Sequence, residues 1–142
     1  MDQYRILPHP ADGKFEAYGA TLEEAFANAA LATASLMWDW RAVASKTSYS
    51  VRVRARNRKQ LLMKFLGEVI YLFETKRFLL SGVTGLTIDE EDGSSRLEAV
   101  FHGDTHAGQT EIFGNVKAVT YNEMKISGGE GGLFTIRTVV DM

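Results

Sequence analysis

The chain has 142 residues, a formal net charge of −2 and no cysteine. That length can bury a core without disulfides or structural zinc, and the composition excludes a disulfide framework and a thiolate metal site. The near-neutral charge gives no footprint of strong, autonomous nucleic-acid binding.

No apolar run reaches the ~20 residues of a spanning helix. The opening "MDQYRILPHPAD" lacks the basic segment and apolar core of a signal peptide. The expectation is a cytoplasmic protein with no membrane partner, a single domain over 1–142.

In chain order, "YRIL" (4–7) is a short strand that breaks at Pro8 and Pro10, the only prolines. "KFEAYG" (14–19) alternates as a second strand. Thr21 with Glu24 three residues on is a capping box, and apolar residues recur at helical spacing through Met37, so a helix is predicted over 21–38. "TSYSVRVRA" (47–55) alternates strictly: Tyr49, Val51 and Val53 face one way, Ser50, Arg52 and Arg54 the other. Asn57 with Gln60 resembles a second helix start, and "LLMKFLGEVIYLFET" continues it over 58–75. Phe26, Ala29, Leu36, Leu62, Phe65, Leu66 and Val69 are the predicted core.

The last third is β-like. Strands are predicted at 78–89 and 96–103, joined by the turn-rich "EEDGSS". Further strands are predicted at 114–121, 124–126 and 133–141, with "GGEGG" (128–132) as a hairpin turn. The latter lacks the strand–loop–helix context and Lys-Ser/Thr of a phosphate-binding loop. The pattern is an α+β domain: two long helices packed on mostly antiparallel β-sheet.

Two acids stand near the extremities. Singly, Asp12 reads as a turn former and Asp141 as part of a frayed chain end. Together they admit another reading. A terminal strand held in a sheet would set Asp141 and the α-carboxylate of Met142 side by side, and the first strand pair could bring Asp12 beside them. Three such carboxylates repel unless protons or a cation neutralise them. An all-oxygen set selects a hard cation, Ca2+, Mg2+ or Mn2+. His9 is either a fourth ligand or the cap of a turn. His102 and His106 flank a glycine-rich loop and read as loop polar groups, with His106 the one placed to face a site. Lys117 is either a solvated lysine on a sheet surface or, on the face of the carboxylates, a phosphate contact. Arg52, Arg54, Arg56, Arg58 and Lys59 form a basic stripe, read as a solvated face or as contact with RNA or an acidic partner. No Ser/His/Asp or Cys/His catalytic set can be assembled.

The ordered set "HPAD", "AYGATLEEAFANAALA", "LLMKFLGEVIYLFET", "VKAVTY" and a strand ending in "VDM" resembles the archease family over nearly the whole chain. The resemblance implies a non-enzymatic activator of the RtcB-type RNA ligase, promoting its guanylylation and multiple turnover in tRNA splicing, and meeting RNA indirectly through that ligase. It also implies a metal site at Asp12, Asp141 and the Met142 carboxylate, with Lys117 as a further functional residue. The chain departs from the family pattern at Pro10, where threonine is usual, and at Asn122, where histidine is typical. Two readings of other classes stand beside this one: a small metal-dependent phosphoesterase, with His9 as its base, and a small-ligand or chaperone-like binding domain.

Overall fold

A computed structural model describes residues 2–8, 12–129 and 131–142. Seven strands and two α-helices follow one another among these residues: β1 (Tyr4–Leu7), β2 (Gly13–Gly19), α1 (Leu22–Ser35), β3 (Thr47–Ala55), α2 (Arg58–Lys76), β4 (Phe78–Glu91), β5 (Ser94–Thr105), β6 (Ala118–Gly128) and β7 (Phe134–Asp141), with one 3₁₀ turn at Trp40–Ala42. The expected α+β architecture is the one observed. The strands form two antiparallel sheets, β1-β2-β7-β6 and β3-β5-β4.

Both helices start where the caps were read. Thr21 Oγ1 accepts the Glu24 amide at 3.0 Å, and the Glu24 carboxylate accepts the Ala20 amide at 3.2 Å. Asn57 Oδ1 accepts the Gln60 amide at 2.9 Å. These bonds satisfy amides that the first helical turn leaves without intrahelical partners. The alanine-rich α1 touches β2 of one sheet and β4 of the other, and α2 touches β6 and β3. The helices therefore form a layer between two sheets, which explains why α1 is buried almost all round. Aromatic contacts tie the layer together: Phe26 to Phe65, with ring centroids 6.1 Å apart, and Phe65 to Phe101 at 5.5 Å.

The predicted core residues are buried except Leu36, which is half-buried and packs against the core edge. The first helix ends earlier than the spacing suggested. Leu36 is its cap, and the chain then turns so that the Trp38 indole N–H reaches the Leu80 carbonyl at 3.0 Å. The Met37 carbonyl is taken by the Phe113 amide at 2.9 Å. These tertiary bonds replace a further helical turn.

The separate strands predicted at 114–121 and 124–126 are one strand, β6, which begins only at Ala118. Its pairing to β7 slips between Thr120 and Lys125, where Glu123 adopts a φ of 54°. A bulge of this kind interrupts the alternation on which strand recognition rests. The glycine-rich segment after it joins antiparallel β6 and β7, as a turn should. No helix of the described residues is long and apolar enough to cross a membrane.

Candidate functional site

The middle of the first sheet is the β2–β7 ladder, and its register sets the candidate site. Gly13 pairs with Val140, Phe15 with Thr138 and Ala17 with Ile136, all six buried on the helix side. Lys14 pairs with Val139 and Glu16 with Arg137 on the outward side. The ladder ends at the Gly13–Val140 pair; Asp12 is the residue before Gly13, in a bend, and Asp141 is the residue after Val140, at the end of β7. On the other flank of β7, Asp141 pairs with Ala118, and its carbonyl accepts the Lys117 amide at 2.8 Å. Three separate stretches of sequence thus meet at one end of one sheet.

Met142 anchors this end. Its side chain packs against the core edge. Gly13 leaves room for it: a Cβ there would stand 2.9 Å from Met142 Sδ, Leu36 Cδ1 and Val140 Cγ2. A Cβ on Gly114 would overlap the Leu36 carbonyl oxygen. The inward side chain of Met142 fixes the backbone whose next group is the Asp141 carbonyl, so the acidic end of β7 is held rather than frayed.

The surroundings favour positive charge. Leu36 caps the C-terminus of α1 beside Gly13 and Gly114, and the last turn of α1 carries no basic residue. The end of a helix carries about half a negative charge, so it adds to the field of the two carboxylates. Lys14, which shares the outward face, is bound to Glu123 Oε1 at 2.9 Å. The donor set at Asp12 and Asp141 consists of oxygens, which suits a hard cation. Among the described residues no group of three or more His, Asp or Glu side chains converges as a metal cage, so a cation here would draw on main-chain or terminal oxygens and water as well.

The remaining candidates separate. Lys117 is exposed and lines a groove with Met63, Gly67, Ile70, Tyr71 and Glu74 on the flank of α2. Its backbone belongs to the acidic end, while the groove it lines runs along the helix. His9 lies outside the described residues, as does Pro10. His106 stands beyond β5 of the other sheet, with Nε2 2.9 Å from the Thr110 carbonyl and Nδ1 3.4 Å from Arg77 Nη2. His102, on β5 itself, faces Thr84 Oγ1 at 2.6 Å. Both imidazoles therefore have local structural partners on the second sheet, whereas Asp141 belongs to the first. Sequence reading missed Gly13, Gly114 and Leu36 as the packing that holds the site. Gly13 one residue before a predicted strand and Gly114 at the start of another were a signal, but only the tertiary contacts say what approaches them. It also missed the groove beside Tyr71, a large ring that is 57% exposed on α2.

The chain matches the model of the Archease protein family (MTH1598/TM1083) over residues 4–142. It is 38% identical over 141 residues to Protein archease of Pyrobaculum neutrophilum, covering 98% of this chain and 95% of the relative. It is 35% identical to Protein archease of Methanosarcina mazei, covering 99% and 96%. Against Protein archease of Methanothermobacter thermautotrophicus it is 35% identical over the full length of both chains. The solution structure of Methanobacterium thermoautotrophicum protein 1598 superposes with a TM-score of 0.84 at 31% identity, covering 100% of each chain.

Proposed function

This chain belongs to the archease family, and from that membership we propose that it is an accessory protein, not an enzyme in its own right, that activates an RtcB-type RNA ligase in tRNA splicing or RNA repair. Within that reading it binds a divalent cation, Ca2+, Mg2+ or Mn2+, through Asp12, Asp141 and the α-carboxylate of Met142. The observation that supports the proposal is the β2–β7 register: its last pair is Gly13–Val140, next in sequence to Asp12 and Asp141.

When bound, such a cation would supply positive charge against phosphate oxygens, which lowers the cost of charge developing in phosphoryl transfer. The chain's own residues do the rest. Asp12 and Asp141 present oxygen donors at the ends of two adjacent strands. The Met142 side chain, packed against Gly13 and Gly114, holds those donors at the protein's edge, where a partner's nucleotide site can approach. Lys117, bonded through its amide to Asp141 and exposed beside the α2 groove, offers a charge for phosphate or for acidic groups of the partner. His106 would serve only a partner surface reaching past β5. None of these roles needs a nucleophile or a general base. The phosphoesterase reading needs a base at the metal: His102 and His106 are engaged on the other sheet, and His9, its named base, lies outside the described residues.

The test is guanylylation of the cognate ligase by GTP with and without this chain. Stimulation over repeated turnovers supports the proposal; identical progress curves overturn it. Titration with each cation separately then assigns the metal, with Asp141→Ala expected to abolish the binding heat.

A further inference from the structure

Lys14 stands beside the acidic end of β7, yet its ammonium is bound elsewhere. On the outward face Lys14 pairs with Val139, and Asp141 follows Val139 by two residues on the same strand and the same face. A diagonal neighbour of this kind is about 7–8 Å away and within reach of a long side chain. The Lys14 ammonium is nevertheless paired with Glu123, 2.9 Å from Nζ to Oε1, and not with Asp141. Glu123 belongs to β6, and β7 runs between β6 and β2, so this bridge passes over the face of a whole strand. The bulge of β6 makes that span possible. Between the pairs Thr120–Val139 and Lys125–Arg137, β6 spends five residues where β7 spends two. Glu123 lies in that surplus with a φ of 54°, a backbone region that side chains other than asparagine and aspartate seldom adopt and glycine favours. Val139, opposite Lys14 on the outward face, is only 1% exposed, so the face is covered where the bridge crosses it.

We propose that Glu123 is a positioning residue for the cation site: it holds the Lys14 ammonium off Asp141 and so keeps that carboxylate open to a divalent cation. The inference rests on the reading of the acidic end as a cation site. A lysine released by Glu123 has few other places to go. Glu16, the carboxylate two residues along β2, is already bonded to Arg137 at 2.8 Å. An ammonium seated at Asp141 would cancel part of the charge that attracts the cation. Lys14 can exchange between the two carboxylates by rotating its own stem, because a lysine is a point charge on a flexible four-carbon chain.

The experiment is calorimetric titration of Ca2+, Mg2+ and Mn2+ in turn into the full chain, as wild type, Glu123→Gln, Lys14→Gln and the double variant. Glu123→Gln should weaken cation binding by roughly tenfold at low salt. That loss should shrink at about 1 M salt, where the Debye length is about 3 Å. Lys14→Gln should bind at least as tightly as wild type. In the Lys14→Gln background Glu123→Gln should cost less than about twofold, since no ammonium is left to hold; such a cycle isolates the pairwise effect. Glu123→Gly, which suits the left-handed backbone, should keep the fold by circular dichroism and show the same loss as Glu123→Gln. A wild type that binds none of the three ions overturns the cation site and this inference with it. A wild type that binds, with Glu123→Gln not weakened or with equal losses in both backgrounds, overturns this inference alone and leaves the cation site standing.

Discussion

Glu16 is a carboxylate whose titration should be visible in the stability of this fold. Its hydrogen bond to Arg137, at 2.8 Å from Nη2 and 3.2 Å from Nε, holds its pKa below the ordinary 4.5 in spite of partial burial. A depressed folded value means that the stabilisation is complete above the ordinary value and is lost as pH falls through the folded one. Glu16→Gln should therefore cost about 1 kcal/mol at pH 7, after allowance for the exposed side of the arginine, and progressively less as pH falls through the folded value. Glu68 has the opposite sign, because burial raises its pKa. Its charged form is disfavoured in the fold, so Glu68→Gln should leave stability unchanged or slightly raised at pH 7. Urea unfolding at pH 7 and pH 3 reads both effects. Gly13 makes a third point at this scale. An added methyl would press on Val140 Cγ2 and Met142 Sδ, so Gly13→Ala should destabilise by about 1–3 kcal/mol and should weaken cation binding by displacing the end of β7.

At the scale of elements, α2 shows how local signals and tertiary demands divide. Its start and its apolar stripe were legible because capping and 3.6-residue periodicity are properties of the sequence alone. Leu66 lies on that stripe with no exposed surface, so Leu66→Ala should cost ~2–5 kcal/mol, measured by denaturant titration. Gly67 stands next to it in the helix interior with nothing near its missing Cβ. Gly67→Ala should therefore stabilise by about 0.4–1 kcal/mol. If the groove beside Tyr71 is part of the partner surface, that gain in stability should come with a loss of ligase stimulation. Strand β3 was equally legible, its bounds agreeing with the alternation of 47–55. Strand β6 was not, because the slip between Thr120 and Lys125 hides its continuity. Nor did spacing reveal where α1 stops, since the Trp38 bond to Leu80 joins residues 42 apart in sequence.

For the whole molecule, the placement of the helices between two sheets is what leaves both outer sheet faces open. One carries the acidic end of the β2–β7 ladder, and the other carries Arg52 and Arg54 of β3. The two acids were legible as candidates from their places near the chain's extremities, while the pairing of the strands next to them is a tertiary fact that spacing does not reveal. Gly13 and Val140 pair across more than a hundred residues of sequence, and Met142 packs close to Gly13 and Gly114 beside them. Because the two acids sit at the periphery, Asp12→Ala and Asp141→Ala should leave the fold intact, with a thermal midpoint within about 2 °C of wild type. The measurement that tests the central claim most directly is multiple-turnover guanylylation of the cognate ligase in the presence of each folded variant. The account predicts that Asp12→Ala and Asp141→Ala lose the stimulation given by the wild-type chain. A folded Asp12→Ala protein that stimulates at the wild-type rate would contradict it.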